Sequence, residues 1–469
     1  MLVAPKTKVL VVGLGKSGLA AAHLLRELGA DLTVTDSQGA SVLGDKPAWL
    51  KAVNFIPQHS LQDQIDSFQL VVVSPGVPLT LPFLTKAKKL GIPIWSELEL
   101  GFRYLKGKVV AVTGTNGKTT TTHLLGQLFR DAGYPVIVAG NVGVPLSTLL
   151  RNVSVGGVTV LEASSFQLEA VDRFHCWIAV ITNITPDHLD RHGSLQEYVR
   201  CKANILRNQS ESDYAVLNYD DAIVRELRDR TQGTVIYFSR QTIPPAPSVY
   251  IEQGWAQVNF GGESYSVVST SSFSLRGSHN VENCLAAIAV GVAAGIDPAI
   301  IAHTLATFPG VAHRLETVDN LGGIEFINDS KGTNPDAAIK ALQSFERPII
   351  WIGGGRNKGS SFELLAKEVQ KRARYAIVLG ESAHEIIEAL DAVGYRQYIS
   401  VSGLEEAVYQ AYQLAQPGDV VLLSPACASW DMFRSYEERG DKFKELVSNL
   451  REGKQCRKKE GAISTSASY

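Results

Sequence analysis

No apolar run in this chain approaches the length of a bilayer span, so no membrane-crossing helix is expected. Charge of either sign is not in excess: 45 Lys and Arg against 47 Asp and Glu leave a formal net charge of −2. No global field therefore gathers nucleic acid or anionic lipid. Aromatic residues do not interleave with basic clusters, so a nucleic-acid partner is not expected. The five cysteines, Cys176, Cys201, Cys284, Cys427 and Cys456, form no CxxC pair and no zinc-ligand spacing. An odd, scattered set predicts reduced thiols and a cytoplasmic protein. There is no GxSxG nucleophile elbow and no internal repeat. The apolar part of the opening MLVAPKTKVLVVGLGKSG is short and broken by glycines, and reads as a first strand rather than a signal peptide.

What is present is alternation. The 469 residues, 45% of them hydrophobic, are enough for about three domains with their own cores. Strand-like runs at Lys8 to Val12, Asp31 to Thr35 and Leu70 to Val73 alternate with helical patterns, which predicts a parallel sheet covered by helices. A second unit begins near Lys106, with strands expected at Val109 to Thr113, Val158 to Glu162 and Trp177 to Thr182. Val235 to Ser274 is rich in Val, Tyr, Ser, Gly and Pro in short alternating segments, and predicts a small antiparallel insert. After Phe308-Pro309-Gly310 a third unit alternates again, with strands expected at Ile324 to Ile327, Pro348 to Ile352, Ala376 to Leu379 and Val420 to Ser424. The fold class is α/β in three domains: a Rossmann-like domain at 1–105, a central P-loop mononucleotide-binding domain with the insert at 106–310, and a C-terminal Rossmann-like domain at 311–451. Residues 452–469 are polar and aperiodic, and read as a disordered tail.

The densest chemistry is at Thr113-Gly114-Thr115-Asn116-Gly117-Lys118-Thr119-Thr120. A strand, a glycine loop, Lys-Thr and a helix make a cradle for polyphosphate. Loop N–H groups face the oxygens, the lysine adds a point charge, and the threonine hydroxyl is a Mg²⁺ ligand. The loop departs from the usual pattern, because Val112 stands where the first glycine is expected. Gly13-Leu14-Gly15-Lys16-Ser17-Gly18 follows a strand, and Asp36 follows the next one. That spacing suits a diphosphate at a helix N-terminus, in UDP or NAD, or else tight helix–strand packing without a ligand. Glu162 ends an apolar run beside the phosphate loop, as a Mg²⁺ ligand or an ordinary strand-terminal acid. Asn183 to His192 (NITPDHLDRH) crowds His188, His192, Asp187 and Asp190 at a strand end, with His188 the better functional candidate.

Ser194 and Glu197 form a capping-box pattern, so a helix starts there. Lys202 falls on its apolar face, four residues from Tyr198 and from Leu206. A lysine there snorkels to water, pairs with an anion or loses its charge, and a neutral amine can add CO₂ to form a Mg²⁺-binding carbamate. In the third unit, Asn328 to Pro335, Gly353 to Gly359 and Ser424 to Trp430 follow three strands and suggest one anion-binding crevice. Cys427 lacks a base partner and reads as a small structural residue.

Together these motifs resemble the Mur ligase family of ATP-dependent amide-forming enzymes. The carriers, in family order, are TGTNGKTT at Thr113–Thr120, NITPDHLDRH at Asn183–His192, Lys202, LRGSHNVEN at Leu275–Asn283, His313-Arg314, and NDSKGTNPDA at Asn328–Ala337. GLGKSG, GNVGVPL at Gly140–Leu146, ASSFQLE at Ala163–Glu169 and SPACASWDMFRSYEERG at Ser424–Gly440 resemble the branch that adds D-glutamate. The Asp-Asn-Pro-Arg signature of the diaminopimelate- or lysine-adding branch is absent.

The resemblance implies a monomeric ligase that joins D-glutamate to UDP-N-acetylmuramoyl-L-alanine through an acyl phosphate. That step belongs to peptidoglycan synthesis and so to cell shape and division. Gly114, Thr115, Asn116, Gly117, Lys118, Thr119 and Thr120 would hold ATP, with Asn280 and Asn283 by the adenine and Arg314 and Asp329 reaching it from the third domain. Two Mg²⁺ are implied, one on Thr119 and Glu162, the other served by His188 and carbamylated Lys202. Lys118, His188 and Lys202 are the implied catalytic residues. Gly15, Lys16, Ser17 and Asp36 would hold the uridine diphosphate, and Asn141 the muramoyl or alanyl part. Lys331, Thr333, Lys358, Ser429 and Tyr436 would line the D-glutamate site.

Two departures stand out. The family's Gly-Gly-x-Asp-Lys-Gly-x-Asp-Phe loop here reads Gly354-Gly355-Arg356-Asn357-Lys358-Gly359-Ser360-Ser361-Phe362, without either aspartate, and Tyr436 replaces a common apolar aromatic. The competing readings are a folylpolyglutamate synthase-like ligase, a non-catalytic UDP-sugar binding protein, and an NAD-dependent oxidoreductase. Acyl phosphates hydrolyse, so closure of the third domain to exclude water is also expected.

Overall fold

The computed structural model describes residues 2–44, 46–141, 143–150, 154–275 and 277–452. Apart from Glu452, the expected tail, with Cys456, lies outside the described residues. The chain divides after Phe308 into two compact units and carries three sheets.

The first sheet has five parallel strands in the order Asn54–Phe55, Asp31–Thr35, Lys8–Val12, Leu70–Val73 and Ile94–Ser96. Its central strands are apolar on both faces because helices cover both. Each fully buried Val or Leu there contributes about 1.5–3 kcal/mol.

The second sheet runs Glu263–Ser269, Trp255–Phe260, Ser248–Glu252, Thr234–Ser239, Tyr214–Asn218, Ile178–Ile181, Lys108–Thr113, Val158–Glu162 and Val136–Gly140. The expected insert is the edge of this sheet. Thr234–Ser239 and Ser248–Glu252 still pair in parallel, and only the last two pairings are antiparallel. Short connections of two residues, Gln253-Gly254 and Gly261-Gly262, force the antiparallel turns.

A buried clasp joins these first two sheets within the first unit. Helix Glu97–Phe102 starts on Ser96, whose Oγ accepts the Glu99 N–H. The Glu99 carboxylate is fully buried and accepts N–H bonds from Asp172, Arg173 and Phe174 at 2.9 to 3.2 Å. Arg103 completes it at 2.6 Å and lies 3.9 Å from the Trp95 ring centre.

The second unit holds six strands in the order Glu316–Leu321, Ile324–Asn328, Val420–Leu423, Ile349–Gly354, Ala373–Leu379 and Tyr398–Val401. Only the first is antiparallel. Val420–Leu423 lies between Ile324–Asn328 and Ile349–Gly354, so the loops leaving these three strands emerge side by side.

Candidate active site

Strand Lys108–Thr113 and helix Lys118–Asp131 frame the phosphate loop. Two glycines are required by position. Gly114 (φ 147°) and Gly117 (φ 83°) would place a Cβ 2.0 Å from Thr182 Oγ1 and 2.4 Å from Asn283 Oδ1. The loop is strapped from outside. Asn183 accepts from the N–H of Thr115 and of Asn116 at 2.8 Å each, and Thr182 Oγ1 donates to Asn116 O at 2.6 Å. Lys118 Nζ lies 3.0 Å from Gly114 O and 2.8 Å from Thr115 O, inside the cradle a phosphate would fill. Asn283 bonds Thr121 Oγ1 and Asn280, and both asparagines are buried.

Glu162 pairs with Val112 on one side and Gly140 on the other, which sets it beside the loop. It is 2% exposed. Its Oε1 accepts from Asn141 Nδ2 at 2.9 Å, while Oε2 is buried with no partner. Among the described residues no three His, Cys, Asp or Glu side chains form a metal cage. An orphaned carboxylate oxygen at the strand end beside a phosphate cradle still fits Mg²⁺, which takes most of its ligands from phosphate and water.

Helix Leu195–Ala203 brings Lys202 under the same loop. Ser194 caps it, but Glu197 turns its carboxylate to Arg200 rather than closing the expected box. Lys202 is 1% exposed and does not snorkel. Its Nζ sits 2.5 Å from Gly114 O and 4.6 Å from the Tyr198 ring centre. Burial first, then the neighbouring Lys118 ammonium, pulls its pKa from 10.5 to about 7. Tyr198, which the sequence offered only as part of an apolar stripe, places its hydroxyl 3.2 Å from Thr115 Oγ1. A buried tyrosine needs a partner for its hydroxyl, and that was the available signal.

His188 takes a left-handed backbone (φ 52°) at the start of helix Leu189–His192, with its half-exposed ring 5.0 Å from Phe166. His192 is buried, stacked on Phe166 at 5.2 Å, and 3.0 Å from Ser165 Oγ. Burial, then Arg191, lowers its pKa, so it serves as a neutral support. Arg191 reaches the N-terminal sheet's loop at Val77 O (2.8 Å) while pairing with Glu169.

In the N-terminal motif, Gly18 is a packing glycine, since a Cβ there would meet Gly13 O at 1.8 Å. Gly15 faces open space, and Lys16 is exposed at the first turn of helix Lys16–Glu27. Ser17 is half-buried. The Asp36 carboxylate accepts the N–H of Leu14 at 2.7 Å and of Gln38 at 3.0 Å, so it braces the glycine loop.

In the second unit, non-glycine residues in the left-handed region flank Arg314: His313 at φ 62° and Leu315 at φ 45°. Asp329 holds Leu315 N–H at 3.3 Å and Ser424 Oγ at 2.7 Å. Burial raises its pKa from 3.8 to about 7. The Ser424–Ser429 loop is stitched to both neighbours, through Ala426 N–H to Gly332 O and paired bonds between Arg356 and Ala428. Lys331 lies 5.7 Å from the Tyr436 ring and Lys358 5.2 Å from the Trp430 ring. Thr333 is half-buried beside Lys331, and Ser429 is buried. Where the aspartates are missing, Asn357 bonds Glu385 at 2.6 Å and Arg356 forks onto Glu381. Cys427 is buried, and burial lifts its thiol to about 11, which suits a structural role.

Known proteins match nearly the whole of this chain. Residues 7–96 match the Mur ligase MurD-like N-terminal domain, 112–291 the Mur ligase middle domain, and 313–427 the Mur ligase glutamate ligase domain. The UDP-N-acetylmuramoylalanine–D-glutamate ligase of Pelotomaculum thermopropionicum is 45% identical over 96% of this chain and 99% of its own. That of Clostridioides difficile is 44% identical over 95% and 99%. The crystal structure of UDP-N-acetylmuramate-alanine ligase from Thermotoga maritima shares the fold, with a TM-score of 0.56 and 22% identity over 94% of this chain and 99% of that one. Among the described residues no helix is long and apolar enough to cross a membrane.

Proposed function

Because the chain belongs to the Mur ligase family, we infer that it is an ATP-dependent ligase adding D-glutamate to UDP-N-acetylmuramoyl-L-alanine in peptidoglycan synthesis. The observation that carries this reading is the continuous likeness to ligases of that name over nearly the whole chain. The strapped phosphate loop with Lys118 in its cradle supports it. The same reading puts the reaction in the cytoplasm, by a monomer, on small-molecule substrates.

A carboxylate is a poor acyl donor because its leaving group would be oxide. Moving the γ-phosphoryl group of ATP onto the alanyl carboxylate gives an acyl phosphate. The D-glutamate amine then attacks the acyl carbon, and the tetrahedral oxyanion collapses to amide and phosphate. Both reactants of the first step are anions, so Lys118 offsets their repulsion. Loop N–H groups from Gly117 to Thr120 orient the phosphates, Gly114, Thr115 and Asn116 form the rest of the ATP cradle, Asn280 and Asn283 lie by the adenine, and Arg314 and Asp329 contribute to ATP binding. Thr119 and Glu162 would hold one Mg²⁺, and His188 with a carbamate on Lys202 a second. Bound there, the ions neutralise charge developing on the phosphoryl oxygens. Gly15, Lys16 and Ser17 take the uridine diphosphate on a loop that Asp36 braces. Asn141 contacts the muramoyl or alanyl part. Lys331, Thr333, Lys358, Ser429 and Tyr436 take D-glutamate.

The test is phosphate release with Mg-ATP, UDP-N-acetylmuramoyl-L-alanine and a panel of D- and L-amino acids. Release that requires both the muramoyl substrate and D-glutamate is expected. Turnover of reduced folates instead, or binding of the UDP-sugar without turnover, would replace the reading.

A further inference from the structure

Arg439 is the largest buried charged side chain that the reading above does not use. It lies in helix Tyr436–Arg451 and is 2% exposed. Its Nε donates to Ser330 Oγ at 3.0 Å and its Nη2 to Ser330 O at 2.8 Å. Nη1 and Nη2 each donate to Cys427 O at 3.3 Å. Ser330 Oγ in turn donates to Tyr436 O at 2.8 Å. One guanidinium therefore clamps the loop carrying Asp329, Lys331 and Thr333 to the loop carrying Ser429.

Its acceptors are all neutral. Among the described residues no carboxylate comes within ion-pair distance, and Asp329 and Asp431 act on it only through space. Burial draws its pKa down to about 10, which still leaves it charged near neutral pH. A buried cation bonded only to carbonyls and a hydroxyl is expensive to keep. Where a clamp alone is needed, a neutral side chain is cheaper. The charge is explained if an anion binds beside these loops.

We propose that Arg439 is a positioning residue for the amino-acid substrate, fixing the two loops and supplying the constant positive field that favours a dicarboxylate over its neutral analogue. This rests on the reading of the second unit as the amino-acid-binding part. The guanidinium of Arg439 is locked in place by four hydrogen bonds, so its field exists before substrate arrives and needs no reorganisation.

The test uses the full-length enzyme and compares D-glutamate with D-glutamine, as substrate or as competing inhibitor. Arg439→Met should raise KM for D-glutamate about tenfold or more, about 1.4 kcal/mol in binding. It should collapse the preference for D-glutamate over D-glutamine and leave KM for the muramoyl substrate unchanged. Arg439→Lys keeps the charge, so it should restore the preference but not the full turnover. An equal loss for both amino acids in Arg439→Met means a scaffold only and overturns the proposal. If that variant does not fold, Ser330→Ala and Arg439→Lys decide. An unchanged KM for D-glutamate in both, or lost preference in Arg439→Lys, overturns it too. A wild-type enzyme inactive with D-glutamate would instead sink the functional reading, and the proposal with it.

Discussion

Lys202→Ala should abolish most ligase activity, and short carboxylates should return part of it. The magnitude follows from the site. The amine is 1% exposed, with Lys118 in the same cradle, and its pKa falls from 10.5 to about 7. Burial, with the Lys118 charge, therefore disfavours the ammonium by about 5 kcal/mol. At about pH 7.5, roughly three-quarters of this amine is neutral, against roughly one part in a thousand for an exposed lysine. Only the neutral amine adds CO₂, so the reactive fraction rises ~10³-fold. The product is an anion beside the Lys118 ammonium, which turns a repulsion into an attraction. The sign of the pH effect can be checked. Between about pH 7 and about pH 10.5 the unfolded chain holds this proton and the folded chain does not, so the uncarbamylated protein gains stability as pH rises through that window. Lys202→Met should lose that slope while melting no lower than wild type at neutral pH. The assay is phosphate release with saturating substrates, with and without acetate, in bicarbonate-depleted and bicarbonate-supplemented buffer. An expected loss of about 10²-fold or more matches removal of a transition-state charge stabiliser. An alanine variant with full activity and no added carboxylate would refute the reasoning, as would wild-type protein that takes up no label from isotope-labelled bicarbonate.

Gly117→Ala should eliminate ATP binding measured by calorimetry, because the new methyl meets Asn283 Oδ1 at 2.4 Å on a left-handed backbone. Asn141→Ala releases Glu162 Oε1. It should raise the Mg²⁺ concentration for half-maximal nucleotide-dependent metal binding several-fold without moving KM for D-glutamate, and an unchanged metal titration would count against it. Asp329 is held protonated up to about pH 7, against 3.8 when unfolded. The folded state thus binds the extra proton between those values, and stability falls as pH rises through them, by about 4 kcal/mol at most. Urea unfolding across that range should show a slope in the wild type that Asp329→Asn flattens.

The phosphate loop was legible because its chemistry is contiguous. One strand, two glycines and a Lys-Thr pair state the backbone path and the ligand together. Lys202 stood out because a charge on an apolar helical face must snorkel, pair or be lost, and its burial in the structure removes the first of these. The rest depended on contacts far apart in the chain. Arg439 and Ser330 are separated by 109 residues, and nothing local marks that arginine as buried. Tyr198 sat in its stripe with no hint that Thr115, 83 residues away, would meet its hydroxyl. Asp36 was read as a ligand acid from spacing, and nothing local showed that its carboxylate also braces Leu14 and Gln38. The antiparallel edge was recognised as different, yet whether it forms a separate sheet or extends the central one depends on pairing between Thr234–Ser239 and Ser248–Glu252, which composition does not encode.

The Glu99 clasp bears on how this protein can be cut and recombined. Removing the first hundred residues would leave three consecutive amide hydrogens at Asp172 to Phe174 without the carboxylate that accepts them. A chimera that grafts a foreign front domain onto this centre should fold only if the donor brings an acid at the matching helix position. Otherwise the 172–174 segment must travel with the graft.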